Sequence, residues 1–274
     1  MSIKYKLVVC DLDGTLLNSA EEISQENKKA VNMLKDAGIE FAIATGRHDL
    51  IAAKYIYDLD IKTPLIACNG ALIKDVRRKR VLYEKLIPSD IAARVINYCK
   101  TNYFDYLVYT PDAIYYSEDS QRVNVVMNYN KSVKEELRAK TYKIRDLDIS
   151  RDKIIKILIA SQEDKIIEKL DNDINQDNSL TIVSSGKGLI DIMRSGASKG
   201  NALLILCDKL GILPKETVVF GDSHNDISMF EVAGLAIAPE NAEEEVKKAA
   251  DYVTLSNDMS GVAHAIISII EKAI

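Results

Sequence analysis

Asp11 and Asp13, in Asp11-Leu12-Asp13-Gly14-Thr15, close a short apolar run and bring two like charges to one place on the chain. A cation relieves such a pair, and carboxylate oxygens suit a hard ion such as Mg²⁺. A second acidic cluster, Gly221-Asp222-Ser223-His224-Asn225-Asp226, follows another apolar run. A loop entering a capped helix explains one of its aspartates but not both. Thr45-Gly46-Arg47 supplies a hydroxyl and successive N–H groups at a helix start, donors that suit a phosphate oxygen. Lys199, in Ser198-Lys199-Gly200, opens a helix where the dipole favours an acid, a cost offset if its ammonium faces an anion. Singly, these are also a turn, a helix cap and a surface lysine; His224 is a hydrogen-bonding bystander in a polar loop.

The elements that must position these residues alternate between strand and helix at both ends of the chain. Residues 5–10, 39–44 and 65–68 read as strands, separated by helices capped by Ser24 and opening near His48. The rhythm resumes with a helix from Lys199 to Leu210, strands at 217–220, 235–238 and 252–255, and a final helix from Gly261. Strands such as Val218-Val219-Phe220 are apolar throughout, as parallel strands buried on both faces require. Each chemical motif then lies at the carboxyl end of a strand or the start of a helix, the edge where open parallel sheets bind ligands.

The middle of the chain differs. Tyrosines gather between Tyr83 and Tyr142, and Tyr106–Tyr109 and Ala113–Tyr116 flank a Thr110-Pro111-Asp112 turn, which predicts an antiparallel pair. The fold class is α/β: a Rossmann-like parallel-sheet core over 1–83 and 188–274, split by an inserted α+β domain over 84–187. The basic run Arg77-Arg78-Lys79-Arg80 just before the insertion reads as a solvated hairpin.

With 36 Lys and Arg against 41 Asp and Glu, the 274-residue chain carries a formal charge of −5, and no block of like charges speaks for a nucleic-acid partner. A small anionic ligand therefore needs local positive charge or a metal. Four isolated cysteines (Cys10, Cys68, Cys99 and Cys207) read as reduced, buried thiols, and no window is apolar for long enough to span a membrane. The expected setting is cytoplasmic, with no membrane partner. Nothing in the sequence separates a monomer from a homodimer.

The order and spacing of these motifs, with Asn69-Gly70 after the third strand, resemble the haloacid dehalogenase-like hydrolases, and among them the Cof-type phosphatases with a large α/β cap of type IIB. The resemblance implies that Asp11 is a nucleophile forming an aspartyl-phosphate, and that Asp13 is the general acid and base. It also implies Mg²⁺ held by Asp11, the backbone of Asp13 and Asp222 with Asp226 close by. The amides of Leu12 and Gly46, with Thr45, Lys199 and Asn225, would contact the phosphoryl group, and Arg47 would touch the substrate. The implied ligand is a small phosphorylated metabolite, a sugar phosphate or phosphorylated cofactor. A phosphomutase using the same motifs, or a silent phosphometabolite sensor, are the alternatives. The chain departs from the family pattern at Ala238-Pro239-Glu240-Asn241-Ala242 and at Met259-Ser260-Gly261-Val262.

Overall fold

A computed structural model describes residues 4–163, 165–186 and 188–271. The chain begins with β1 (Leu7–Cys10), α1 (Gln25–Asp36), β2 (Glu40–Ile43), α2 (Asp49–Asp58), β3 (Leu65–Ala67), β4 (Leu72–Asp75) and β5 (Arg80–Glu84). It continues through α3 (Ser89–Thr101), β6 (Asp105–Thr110), β7 (Ala113–Tyr116), α4 (Val123–Ser132), β8 (Thr141–Lys143), β9 (Lys156–Ala160), α5 (Ile166–Ile174), β10 (Leu180–Gly186) and β11 (Leu189–Arg194). The last stretch comprises α6 (Lys199–Leu210), β12 (Thr217–Phe220), α7 (Ile227–Phe230), β13 (Leu235–Pro239), α8 (Glu244–Ala249), β14 (Tyr252–Thr254) and α9 (Gly261–Ile270).

The core sheet runs β14-β13-β12-β1-β2, with parallel pairing throughout. Every residue of β1 and β12 is buried, because both faces of the sheet are covered. Val8, Phe41, Val218 and Ile237 join Val31, Leu34 and Ile266 of α1 and α9 on one face. Leu7, Val9, Ala42 and Val219 pack with Leu203 and Leu206 of α6 on the other. The chain leaves β1 for β2 in one direction and β12 for β13 in the other, so the adjacent ends of β1 and β12 form a crevice at the point where the winding reverses. Asp11 and Asp222 stand at that crevice. The expected cap on α1 is present: Ser24 accepts a hydrogen bond from the Asn27 amide.

The third strand behaves differently from the sequence expectation. β3 touches the parallel sheet through one bridge, Ala44 to Ile66, and otherwise pairs antiparallel with β4, which pairs with β5. The basic run is the turn of that β4–β5 hairpin, and Arg77 there is tied to Asp60 and to the Ile61 carbonyl.

The inserted segment forms its own sheet, β10-β11-β9-β6-β7-β8, and β6 and β7 pair antiparallel as the turn between them predicts. Helices α3 and α5 cover one face with Ile91, Val95, Ile166 and Leu170, while Leu107, Tyr109 and Leu158 belong to the cluster continuous with the core. β11 is hydrogen-bonded to β9 and β10. The return to the core expected at 188 therefore comes one strand too early, since Leu189–Arg194 completes the inserted sheet. Lys187, the expected last residue of the insertion, lies outside the described residues. The polar stretch near Asn128 forms the end of helix α4, whose apolar positions Val123, Val126 and Tyr129 turn inward.

Candidate active site

Lys199 joins the two acidic clusters. Its side chain is 1% exposed, and its Nζ lies 2.6 Å from Asp11 Oδ1 and 2.6 Å from Asp226 Oδ1. The ammonium that opens α6 is thus a buried cation between two carboxylates, which answers the unfavourable helix position noted in the sequence. Burial alone would lower its pKa, but Asp11 and Asp226 raise it above a lysine's ordinary value. One ammonium does not balance the acids around it. Burial holds the Asp11 carboxyl well above the usual range against the pull of Lys199, and Asp226 and Asp222 add to the rise.

Asp226 has both oxygens committed: Oδ1 to Lys199, and Oδ2 to the amides of Asp222 and Ser223 at 3.0 and 3.1 Å. It therefore fixes the loop that presents Asp222. Asp222 accepts from Thr15 Oγ1 at 2.7 Å and from Ser223 Oγ at 3.2 Å. Its carboxyl is pushed up to about 6 by burial first and then by Asp226. Gly14 makes this approach possible: its φ is +76°, and a Cβ there would collide with Asp222 Oδ2. Asn241, in one of the loops that depart from the family pattern, donates to the Gly14 carbonyl at 2.8 Å and so steadies the same turn.

Asp13 emerges from the turn with its side chain 51% exposed, and Arg47 grips it through Nε at 2.8 Å and Nη2 at 2.5 Å. Arg47 thus meets Asp13, with Glu21 at 3.7 Å. Thr45 is fully buried and its hydroxyl accepts from the Arg47 amide at 3.0 Å, which shapes the Thr45-Gly46-Arg47 loop. Leu12 packs its side chain into the core, so any role toward a ligand falls to its backbone amide. Asn225 donates to Asn69 Oδ1 at 2.9 Å, while its own Oδ1 is buried without a partner. His224 is exposed, 3.4 Å from Glu245.

The inserted domain closes the site from above. Lys156 on β9, 2% exposed, lies 2.9 Å from Asp191 Oδ1 on β11 and donates to the Gly46 carbonyl at 2.7 Å. Asp191 Oδ2 accepts from Asn69 Nδ2 at 2.7 Å. Asn69 is held at φ 52°, a left-handed conformation that Asn tolerates better than most residues. A continuous path therefore runs from Asn225 through Asn69, Asp191 and Lys156 to the carbonyl of Gly46. Nearby, His48 donates from Nε2 to the Thr110 carbonyl at 2.7 Å and stacks on Tyr109, and Lys74 reaches the Pro111 carbonyl at 2.9 Å. A cavity of about 470 Å³ lies between the domains, lined on the core side by Asp11, Asp13, Arg47 and Asp222 and on the cap side by Tyr109, Arg122, Lys156 and Leu158.

Thr15, Lys156, Asp191 and Arg122 were not among the residues expected from sequence. For two of them a signal was present: Lys156 and Asp191 are single charges of opposite sign set in apolar strand runs, a pattern that calls for a buried partner. Arg122 and Thr15 sit in stretches with no such contrast.

Among the described residues, Asp11, Asp222 and Asp226 offer oxygens that all lie within 4.8 Å of one another. Three carboxylates against one ammonium, with two of the carboxyls driven up by burial and mutual repulsion, form a hard, oxygen-only donor set that fits a divalent cation such as Mg²⁺. With Asp226 held by Lys199 and two amides, Asp11 and Asp222 are the carboxylates that could hold such an ion directly.

The family model described as haloacid dehalogenase-like hydrolase matches residues 8–266. The chain is 33% identical over 279 aligned residues to a 5-amino-6-(5-phospho-D-ribitylamino)uracil phosphatase of Bacillus subtilis, covering 95% of this chain and 96% of that one. It is 28% identical to a pyridoxal phosphate phosphatase of Escherichia coli, with 96% and 98% covered. Among solved structures, a haloacid dehalogenase-like hydrolase from Bacteroides thetaiotaomicron superposes with a TM-score of 0.82 at 29% identity, covering 97% of this chain and 99% of that one. The family model and these relatives extend along nearly the whole chain, and the protein belongs to the haloacid dehalogenase-like hydrolase family, among its Cof-type phosphatases.

Proposed function

We propose that this protein is a Mg²⁺-dependent phosphatase that hydrolyses small phosphomonoesters through an aspartyl-phosphate on Asp11. The observation that carries this reading is Lys199 held at 2.6 Å from both Asp11 and Asp226 beside Asp222, with Asp13 lining the same cavity. Bound by Asp11, Asp222 and the Asp13 backbone carbonyl, Mg²⁺ would offset the acidic charge and draw electron density from the phosphoryl oxygens. The free Asp11 oxygen attacks phosphorus as the ester P–O bond breaks, and protonated Asp13 gives its proton to the departing alkoxide. Asp13 then takes a proton from the water that attacks the aspartyl-phosphate, which releases inorganic phosphate and restores Asp11. Lys199, Thr45 and the amides of Leu12 and Gly46 would stabilise the charge on the transferring group, the main contribution a protein makes to phosphoryl transfer.

In the structure Arg47 holds both Asp13 oxygens. That pair must loosen for Asp13 to act as an acid, so Arg47 serves to orient the carboxylate between turnovers. The relatives' substrates, pyridoxal phosphate and a phosphoribitylamino uracil, support a small phosphorylated metabolite as ligand. The test is phosphate release by the Asp11→Asn variant across a panel of phosphomonoesters. Loss to background with unchanged folding is expected; turnover near the parent rate rules the covalent mechanism out.

A further inference from the structure

We propose that Arg122 makes this enzyme selective for phosphomonoesters whose organic part carries a second acidic group, a carboxylate or another phosphate. The inference rests on the phosphatase reading of the cavity. Three cations line that cavity: Arg47, Lys156 and Arg122. Arg47 is matched by Asp13, and Lys156 by Asp191 together with the Gly46 carbonyl. Among the described residues, no carboxylate lies within 4.0 Å of the Arg122 guanidinium and its side chain makes no hydrogen bond. A half-buried guanidinium has lost part of its hydration, and an anion presented to its planar fork restores more of that loss than a hydroxyl can.

The backbone beneath Arg122 is built to hold it in place. Asp105, at the start of β6, accepts from Ser120 Oγ at 2.5 Å, the Gln121 amide at 2.9 Å and the Arg122 amide at 2.8 Å. These bonds organise the turn that launches α4, and Val125 in the first turn of α4 lines the same cavity. The order of this segment is therefore set on folding and is not a cost of binding. Asp105 spends both oxygens on the turn and leaves the guanidinium unmatched. Arg122 and buried Tyr109 line the cavity together on its cap side.

The core side already provides for the transferring group, with Lys199, Thr45 and the metal-binding acids. Arg122 belongs to the other domain, so it meets the end of the substrate that leaves as alcohol. A cavity of about 470 Å³ is within the usual range for a small metabolite. The chemistry specified is a compact molecule with acidic groups at both ends: one phosphomonoester to be cleaved and one acid to be read.

The experiment compares kcat/KM for matched pairs that differ only in the second acid: phosphoglycolate with ethyl phosphate, phosphoglycerate with glycerol phosphate, and fructose bisphosphate with fructose monophosphate. The first two pairs report a carboxylate and the third a phosphate. The parent enzyme is expected to favour the acidic member of at least one pair by about 10–100-fold, the range of one charge-assisted hydrogen-bonded contact. Arg122→Gln should collapse that ratio toward one, chiefly through KM, and Arg122→Lys should keep part of it. An unchanged ratio, or an equal fall on both members of every pair, overturns the inference, the latter because Arg122 then serves the transferring phosphoryl group or the fold. If the parent releases phosphate from none of these compounds or from a broad phosphometabolite panel, the phosphatase reading falls and this inference with it.

Discussion

Lys156 reaches across the boundary between the domains to donate to the Gly46 carbonyl at 2.7 Å. The cap residue thereby sets the orientation of the peptide beside Thr45, and its charge is matched by Asp191, which Asn69 of the core holds in turn. Closing the cap and shaping the Thr45-Gly46-Arg47 loop are consequently one structural event.

Removing one side of this buried pair should cost more than removing both. Lys156→Met leaves Asp191 charged without its cation and is expected to lower stability by about 3–5 kcal/mol. Adding Asp191→Leu should recover a large part of that loss while leaving kcat/KM depressed, because the Gly46 carbonyl still lacks its donor. Urea unfolding and steady-state kinetics on the single and double variants check both halves. A double variant with parental kcat/KM would show that Lys156 only stabilises the fold.

Asp222 should make the metal-free protein less stable as pH rises. Its folded pKa is about 6 against 3.8 for the ordinary group, so between those values the folded state binds more protons than the unfolded chain. Stability contributed by such a group falls as pH climbs through the window. In chelator, Asp222→Asn is therefore expected to gain on the parent between about pH 4 and pH 7, by on the order of 2 kcal/mol after allowance for partial solvent screening. Urea midpoints of the two proteins at both pH values give the difference. A difference that does not grow with pH contradicts the assignment.

Magnesium should stabilise the parent by mass action and do so far less in that variant. The expected result is a rise in melting temperature with added Mg²⁺ for the parent, reversed by EDTA, and little response from Asp222→Asn. EDTA should likewise abolish phosphate release until Mg²⁺ is returned. Full turnover in chelator would remove the metal from the mechanism.

Thr15→Val is nearly isosteric and deletes the hydroxyl that donates to Asp222 at 2.7 Å. It should weaken Mg²⁺ affinity by about 10–100-fold, the usual effect of losing a partner that orients a metal ligand. Gly14→Ala should be more damaging, since it adds strain at a φ of +76° and pushes a methyl group into the Asp222 carboxylate. Calorimetric Mg²⁺ titration ranks the two, and equal affinities in all three proteins would show that the Thr15–Asp222 contact is incidental.

Asp11, Asp13, Thr45, Lys199, Asp222 and Asp226 were legible in the chain because each follows a strand or opens a helix whose apolar pattern is strong over a few residues. Local spacing decides which edge of a parallel sheet such residues occupy, and the near-continuous apolar runs of β1 and β12 left little freedom in that choice. The partners of those residues were not legible. Lys199 finds Asp11 across 188 residues of chain, Thr15 finds Asp222 across 207, and Lys156 finds Gly46 across 110. Such pairings depend on strand order, on β11 staying with the inserted sheet, and on how the cap settles over the core. Local order and spacing were enough to bring these groups to the sheet edge. Only the packing decided that Asp226 is spent on a lysine and two amides, that Arg47 holds Asp13, and that Arg122 has no counter-charge among the described residues, because a side chain's charge state and free valence depend on neighbours that the chain's own order does not bring within reach.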